Sequence, residues 1–253
     1  MNISLLQKAL AASRDGKPAA LATNLKTGQQ SLIQGTDVTG NLPVTDVVMS
    51  AVRQAWERDE NDSVMTGEGK IFLEIFNPRL RMLIVGAVHI AQPLARMAAL
   101  TGYLVTIIDP RSAFASVERF PDVALNGEWP DDAMKQLKPD RRTAVVTLTH
   151  DPKLDDPALA EALQSDAFYI GALGSRKTHA RRCDRLRELG LTDEQMARIH
   201  GPVGLKIGAV SPAEIAISVM AQVIEVLRAP AEQRKSERAA KSSRTETRDE
   251  AAA

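Results

Sequence analysis

The feature that most constrains this chain is a rhythm between residues 80 and 228. Short apolar runs at 82–85, 104–108, 144–148 and 168–170 are separated by longer segments with helical spacing, and a weaker run lies at 123–125. Strands that are apolar at every position, rather than every second one, are covered by helices on both faces. Such strands alternating with helices build βαβ units around a parallel sheet. The expectation is an α/β protein with a Rossmann-like, doubly wound parallel sheet over residues 78–228.

The flanks read differently. Residues 1–77 predict a smaller α+β domain. Runs at 19–25 and 31–34 flank a Lys26-Thr27-Gly28 turn and read as a hairpin, 43–58 is helical, and 71–76 alternates as a strand. Residues 3–12 have no charged leader and carry Lys8 inside the apolar stretch, so they read as an amphipathic helix with Ile3, Leu6 and Leu10 on one face. Residues 229–253 hold no aliphatic side chain larger than alanine and are expected to be a disordered charged tail. Within 78–228, Ser211-Pro212-Ala213-Glu214 forms a capping box, Asp156-Pro157 opens a helix, Ser175 caps another, and Gly102 and Gly190 stand at helix ends.

Composition removes several classes. Thirty-two Lys and Arg balance 32 Asp and Glu, which argues against a nucleic-acid surface. A single cysteine, Cys183, excludes an internal disulfide framework and a Cys-based zinc site. Uninterrupted apolar stretches reach about six residues against the ~20 a membrane span needs, so no span is expected and the chain reads as cytoplasmic. The four histidines are far apart and spell no metal motif.

In an open parallel sheet, ligands bind beyond the carboxyl ends of the strands, where strand order reverses. Four loops leave such ends. Gly86-Ala87-Val88-His89 has the position of a dinucleotide fingerprint, with Asp109 roughly 20 residues on where a ribose-binding acid would sit. Val88, however, replaces the glycine that lets backbone approach a pyrophosphate. Arg111, in Asp109-Pro110-Arg111, either forks onto a phosphate or pairs with Asp109. In Thr149-His150-Asp151 the last two residues either do acid–base work or anchor a turn before Pro152. Gly171-Ala172-Leu173-Gly174-Ser175-Arg176-Lys177 is the richest: small residues, a helix start, a hydroxyl and two cations make an anion-ready loop without a Walker A pattern. Ala180, Cys183, Leu186 and Leu189 share a helical face, so Cys183 reads as a buried structural thiol before a sulfur carrier, and His179 as solvent-facing.

These loops, in this order, resemble the XdhC/CoxI family of accessory proteins for molybdenum hydroxylases. The stretches that carry the resemblance are Leu83-Ile84-Val85-Gly86-Ala87, Asp109-Pro110-Arg111, Thr149-His150-Asp151, Tyr169 to Arg176, and Ile199 to Leu205 with Ser211 to Ala216. The resemblance implies a Rossmann-like domain that binds molybdenum cofactor (molybdopterin or its dinucleotide form). It also implies a role in sulfuration of that cofactor and its insertion into a xanthine dehydrogenase or carbon monoxide dehydrogenase type enzyme. Implied partners are the hydroxylase apoenzyme, a cysteine desulfurase or a second XdhC/CoxI-type protein, and a second copy of the chain. The Gly-Ser-x-Pro-Arg and Cys-Gly-Gly segments that family members carry near the amino terminus are absent from residues 1–77, and Lys206 stands where an acid is expected, which would add a cation near the anion pocket. The expected role is a cofactor-binding accessory protein rather than a catalyst. The competing reading, from fold and Asp109 alone, is an NAD(P)-dependent oxidoreductase. The expected cofactor-binding set is Gly86, Ala87, His89, Asp109, Arg111, Thr149, His150, Asp151, Gly171, Gly174, Ser175, Arg176 and Lys177.

Overall fold

The computed structural model describes residues 2–229, which fall into two compact units that part between Arg79 and Leu80. The expected disorder of the tail concerns residues that, from 230 on, lie outside the described ones.

The first unit runs α1 (Ile3–Arg14), β1 (Ala19–Asn24), β2 (Gln30–Gln34), β3 (Asp37–Gly40), α2 (Asp46–Arg58), β4 (Asp62–Thr66) and β5 (Gly69–Phe76). Its strands form an antiparallel sheet in the order β3-β2-β1-β5-β4, with the expected hairpin pairing Ala20 to Ile33 and Leu21 to Leu32. Successive side chains on a strand face opposite ways. Ala20 and Ala22 therefore join a core with Val48 and Val52 of α2, while Ala19 and Leu21 join one with Leu5, Ala9 and Ala12 of α1. This corrects the expected face of α1. Ile3 and Leu10 are exposed, and the inward stripe is the smaller set one residue round the helix, where two alanines let the backbone approach β1 closely.

The second unit runs β6 (Arg81–Val85), α3 (Ala91–Leu100), β7 (Leu104–Ile108), β8 (Ala124–Asn126), α4 (Pro130–Leu137), β9 (Thr143–Thr147), α5 (Pro152–Gln164), β10 (Tyr169–Ala172), α6 (Arg176–Glu188), α7 (Asp193–Met196), β11 (Ile199–His200) and α8 (Pro212–Arg228). Its six strands are parallel in the order β11-β10-β9-β6-β7-β8. Chain order reverses between β6 and β9, which makes that pair the topological switch point. Met82 and Ile84 face a layer containing α3 and α8, while Leu83 and Val85 face one containing α4, α5 and α6. Burial on both sides is what the continuous apolar runs encode.

Two local expectations are corrected. Helix α5 starts at Pro152 with Asp151 as its N-cap, Oδ1 accepting the Lys153 amide at 3.0 Å; Pro157 sits inside the helix, where its ring removes the ladder bond its amide would donate. Helix α6 turns Arg182 and Leu186 inward, leaves Ala180 and Leu189 exposed and holds Cys183 half-buried. His200 belongs to the two-residue strand β11. The capping box opening α8 is present in both directions, and its buried face is Ala216, Val219, Met220 and Val223. Among the described residues, no helix is long and apolar enough to cross a membrane.

Candidate functional site

The four loops converge on one rim of the parallel sheet. At the switch point Gly86 has φ +105°, and a Cβ there would lie 2.4 Å from Thr149 Cγ2, so the first and third loops are in contact and only glycine fits. The second loop closes onto the first through Asp109. Its Oδ2 accepts the Ala87 amide at 2.8 Å and Arg111 Nη2 at 2.8 Å, while Oδ1 accepts Arg111 Nε at 2.8 Å and the Arg111 amide at 3.0 Å. Burial pushes the Asp109 carboxyl up, yet these hydrogen bonds outweigh it and hold the group below its ordinary value. Arg111 also lies over the Phe114 ring. Of the two sequence readings of Arg111, pairing with Asp109 is the one present. Val88 packs against the α3 layer and His89 is exposed. Asp109 is thus engaged within the protein and has no oxygen left to present to a ribose.

The third loop wraps a buried carboxylate that sequence reasoning missed. Asp155 accepts Thr149 Oγ1 (2.6 Å) and the Thr149 amide (3.3 Å) on Oδ1, and the His150 amide (3.1 Å) on Oδ2. These bonds hold His150 in a left-handed conformation, φ +63°. Asp151 caps α5, so the turn-anchoring reading is the one its contacts support.

The fourth loop is the contrast. The Ser175 hydroxyl accepts the Thr178 amide at 3.1 Å, whereas the amides of Gly174, Ser175, Arg176 and Lys177 make no hydrogen bond among the described residues. A side chain at Gly174 would come within 3.8 Å of His150 Nδ1, which joins this loop to the third. Between them opens a cleft of about 320 Å³ whose lining includes His150, Asp155, Ser175, Lys177, Arg181, Arg182 and Arg185. Arg185 is engaged by Asp156. Lys177 and Arg181 have no counter-ion among the described residues. Lys206 is exposed and outside this lining, contrary to the cation expected near the pocket. The missed cations had a signal in the sequence: Ser175, Thr178, Arg181, Arg182 and Arg185 recur at helical spacing from the cap.

A second cavity, about 340 Å³, lies between α6, α7 and β11 and is lined by His179, Cys183, Asp193, Met196, His200 and Gln222 among others. His179 is half-buried rather than solvent-facing, with Nε2 3.7 Å from Cys183 Sγ and its ring against Gly201. Burial pushes the Cys183 thiol up from its ordinary value, which disfavours the thiolate form. His200 stacks on Tyr169, whose hydroxyl donates to Gln222 at 2.6 Å. Among the described residues, no group of three or more His, Cys, Asp or Glu side chains is placed to hold a metal.

Residues 82–223 match the family model described as the XdhC Rossmann domain. The chain belongs to the XdhC family. Among curated relatives it is 36% identical over 153 residues to the molybdenum cofactor insertion chaperone PaoD of Escherichia coli (strain K12), covering 60% of this chain and 41% of that protein. It is 31% identical over 156 residues to a probable xanthine dehydrogenase subunit of Bacillus subtilis (strain 168), covering 61% and 45%. It is also 32% identical over 164 residues to the uncharacterized protein YqeB of Escherichia coli, covering 63% and 30%. The XdhC chain therefore spans less than half the length of these curated relatives. A crystal structure of a xanthine dehydrogenase from Bacillus halodurans superposes with a TM-score of 0.69 at 25% identity, over 89% of this chain and 64% of that one. That coverage exceeds the second unit alone, so the likeness extends into the first.

Proposed function

We propose that this XdhC-family chain is a maturation factor for molybdenum hydroxylases of the xanthine dehydrogenase or carbon monoxide dehydrogenase type. It binds molybdenum cofactor by its phosphate-bearing end, assists sulfuration and delivers the cofactor to the apoenzyme. The observation that carries this reading is the run of unpartnered amides from Gly174 to Lys177 beside Lys177 and Arg181, an arrangement suited to an anionic group. The names of PaoD and of the Bacillus subtilis relative support it from outside the site.

Within this reading Gly174, Ser175, Arg176 and Lys177 receive the phosphate and Thr149 with His150 forms the opposing wall, while Gly171 is buried inside β10 against Val203 and Tyr169 and supports the loop from behind instead of touching the anion as expected. Asp151, Gly86, Ala87, Asp109 and Arg111 shape the rim beside it, and His89 faces solvent at its edge. The cysteine desulfurase, a second family protein and a second copy of this chain are partners of the same proposal, as is a cytoplasmic setting. The engaged carboxylate of Asp109 and the inward-packed Val88 weigh against the NAD(P)-dependent oxidoreductase.

The test is purification from a host that makes molybdenum cofactor, with pterin fluorescence and molybdenum measured per chain. The expected result is pterin in near-stoichiometric amount, reduced in a Ser175→Ala/Lys177→Ala variant. Pterin-free protein that enhances NADH fluorescence would replace this reading with the oxidoreductase.

A further inference from the structure

The floor of the cleft between α5 and α6 holds a feature that an anion-ready loop by itself does not require. Arg182 is 1% exposed, and its Nε and Nη1 have no hydrogen-bond partner among the described residues. Only Nη2 is engaged, donating to the Leu173 carbonyl at 2.9 Å and lying 3.6 Å from Asp155 Oδ2. Buried guanidinium nitrogens left without acceptors are rare in folded proteins, because each forfeits hydration and gains nothing in return. Asp155 accepts three hydrogen bonds from Thr149 and His150 and gives Arg182 a distant contact only, 3.6 Å from Oδ2. Burial drives both groups toward their neutral forms, raising the Asp155 carboxyl and lowering the Arg182 guanidinium, so their mutual attraction does not offset their desolvation.

We infer that Arg182 is the buried anchor of a site for a terminal phosphate monoester dianion, completed by the amides of Ser175–Lys177 and by Lys177 and Arg181. This rests on the proposed function and names what that site accepts. Charge and donor count both favour a terminal phosphate. With Arg185 held by Asp156 and Arg182 facing Asp155, the cations lining the cleft that have no counter-ion among the described residues are Lys177 and Arg181, which match the roughly two negative charges a phosphomonoester carries at neutral pH. A monoester has three free oxygens for the donors grouped here, and the planar fork of an arginine suits two of them. A phosphate inside a diphosphate or a diester has one charge and two free oxygens, and its chain must leave in two directions.

The test uses the full chain and three probes: inorganic phosphate, methyl phosphate and dimethyl phosphate. Amide chemical shifts of residues 174–178 are followed by NMR, and pterin content is measured separately on protein from a cofactor-producing host. The expected result is saturable shifts with phosphate and methyl phosphate and affinity for dimethyl phosphate at least about tenfold weaker. Arg182→Lys keeps the charge but removes the fork, so methyl phosphate should bind about tenfold or more weakly. Lys177→Ala, on an exposed side chain, should show a loss in the same direction without a change in fold. Dimethyl phosphate binding as well as methyl phosphate, or wild-type affinity in both variants, would overturn the inference. Phosphate-responsive amides in protein that never carries pterin would sink the maturation reading and leave this site standing; pterin-loaded protein with silent amides would do the reverse.

Discussion

Two loops at the same rim of the parallel sheet use their polar groups in opposite ways. After β6, the Ala87 amide, the Asp109 carboxylate and the Arg111 guanidinium satisfy one another, and Gly86 seals against Thr149. After β10, the amides of residues 174–177, two nitrogens of Arg182 and the charges of Lys177 and Arg181 have no internal partners among the described residues. The first loop sits where a dinucleotide is expected in this topology, yet it is built for rigidity. Position in a fold marks where a ligand can bind; which donors remain unpaired decides where one does.

The contrast can be broken from the rigid side. Gly86→Ala places a Cβ against Thr149 at a backbone angle that L side chains rarely adopt, and should cost about 3 kcal/mol or more of unfolding free energy, read by urea denaturation. Arg111→Ala leaves a buried carboxylate with backbone partners only. Because Arg111 is 39% exposed, the loss should be about 2 kcal/mol, short of a fully buried pair. The sign with pH follows from Asp109. Its folded value lies below the unfolded one, so its stabilisation is present above the ordinary carboxylate range and disappears as pH falls through the lowered folded value. Arg111→Ala should therefore flatten the acid limb of the stability curve below about pH 4, as thermal melts over a pH series will show.

From the open side the ranking inverts. Ser175→Ala should lose about 1 kcal/mol of stability for the missing cap and weaken phosphate binding about tenfold by calorimetry. Lys177→Ala with Arg181→Ala should change unfolding free energy by no more than about 0.5 kcal/mol, because both side chains are exposed. If that pair destabilises as much as Arg111→Ala, the two loops do not divide labour between rigidity and binding.

Legibility in the sequence followed burial. The continuous apolar runs placed β6, β7, β9 and β10 to within a residue or two, because strands covered on both faces need apolar side chains at every position. Strands β3 and β4 escaped because β3 is exposed throughout and β4 alternates between half-buried and exposed residues with none fully buried, and edge strands need little apolar character. The order of the loops pointed to the rim, and Ser175 to the α6 cap, since capping is a local rule. The Asp155–Arg182 pair was invisible: it joins residues far apart in the chain, and a charge at an inward helical position looks from sequence like one on a solvated face. Cys183 misleads for the complementary reason, because a stripe of small and apolar residues reads as the inward face of α6 where the arginine in fact points in.

Helix α8 covers, together with α3, one whole layer of the parallel sheet, contributing Ala216, Val219, Met220 and Val223 to it. Gln222 ties it down by accepting from both the Tyr169 hydroxyl and the Gly204 amide. During synthesis, then, every strand among the described residues is made before the helix that shields half of that layer. A chain arrested near Val210 would display bare aliphatic surface, a natural target for chaperone holding and for aggregation.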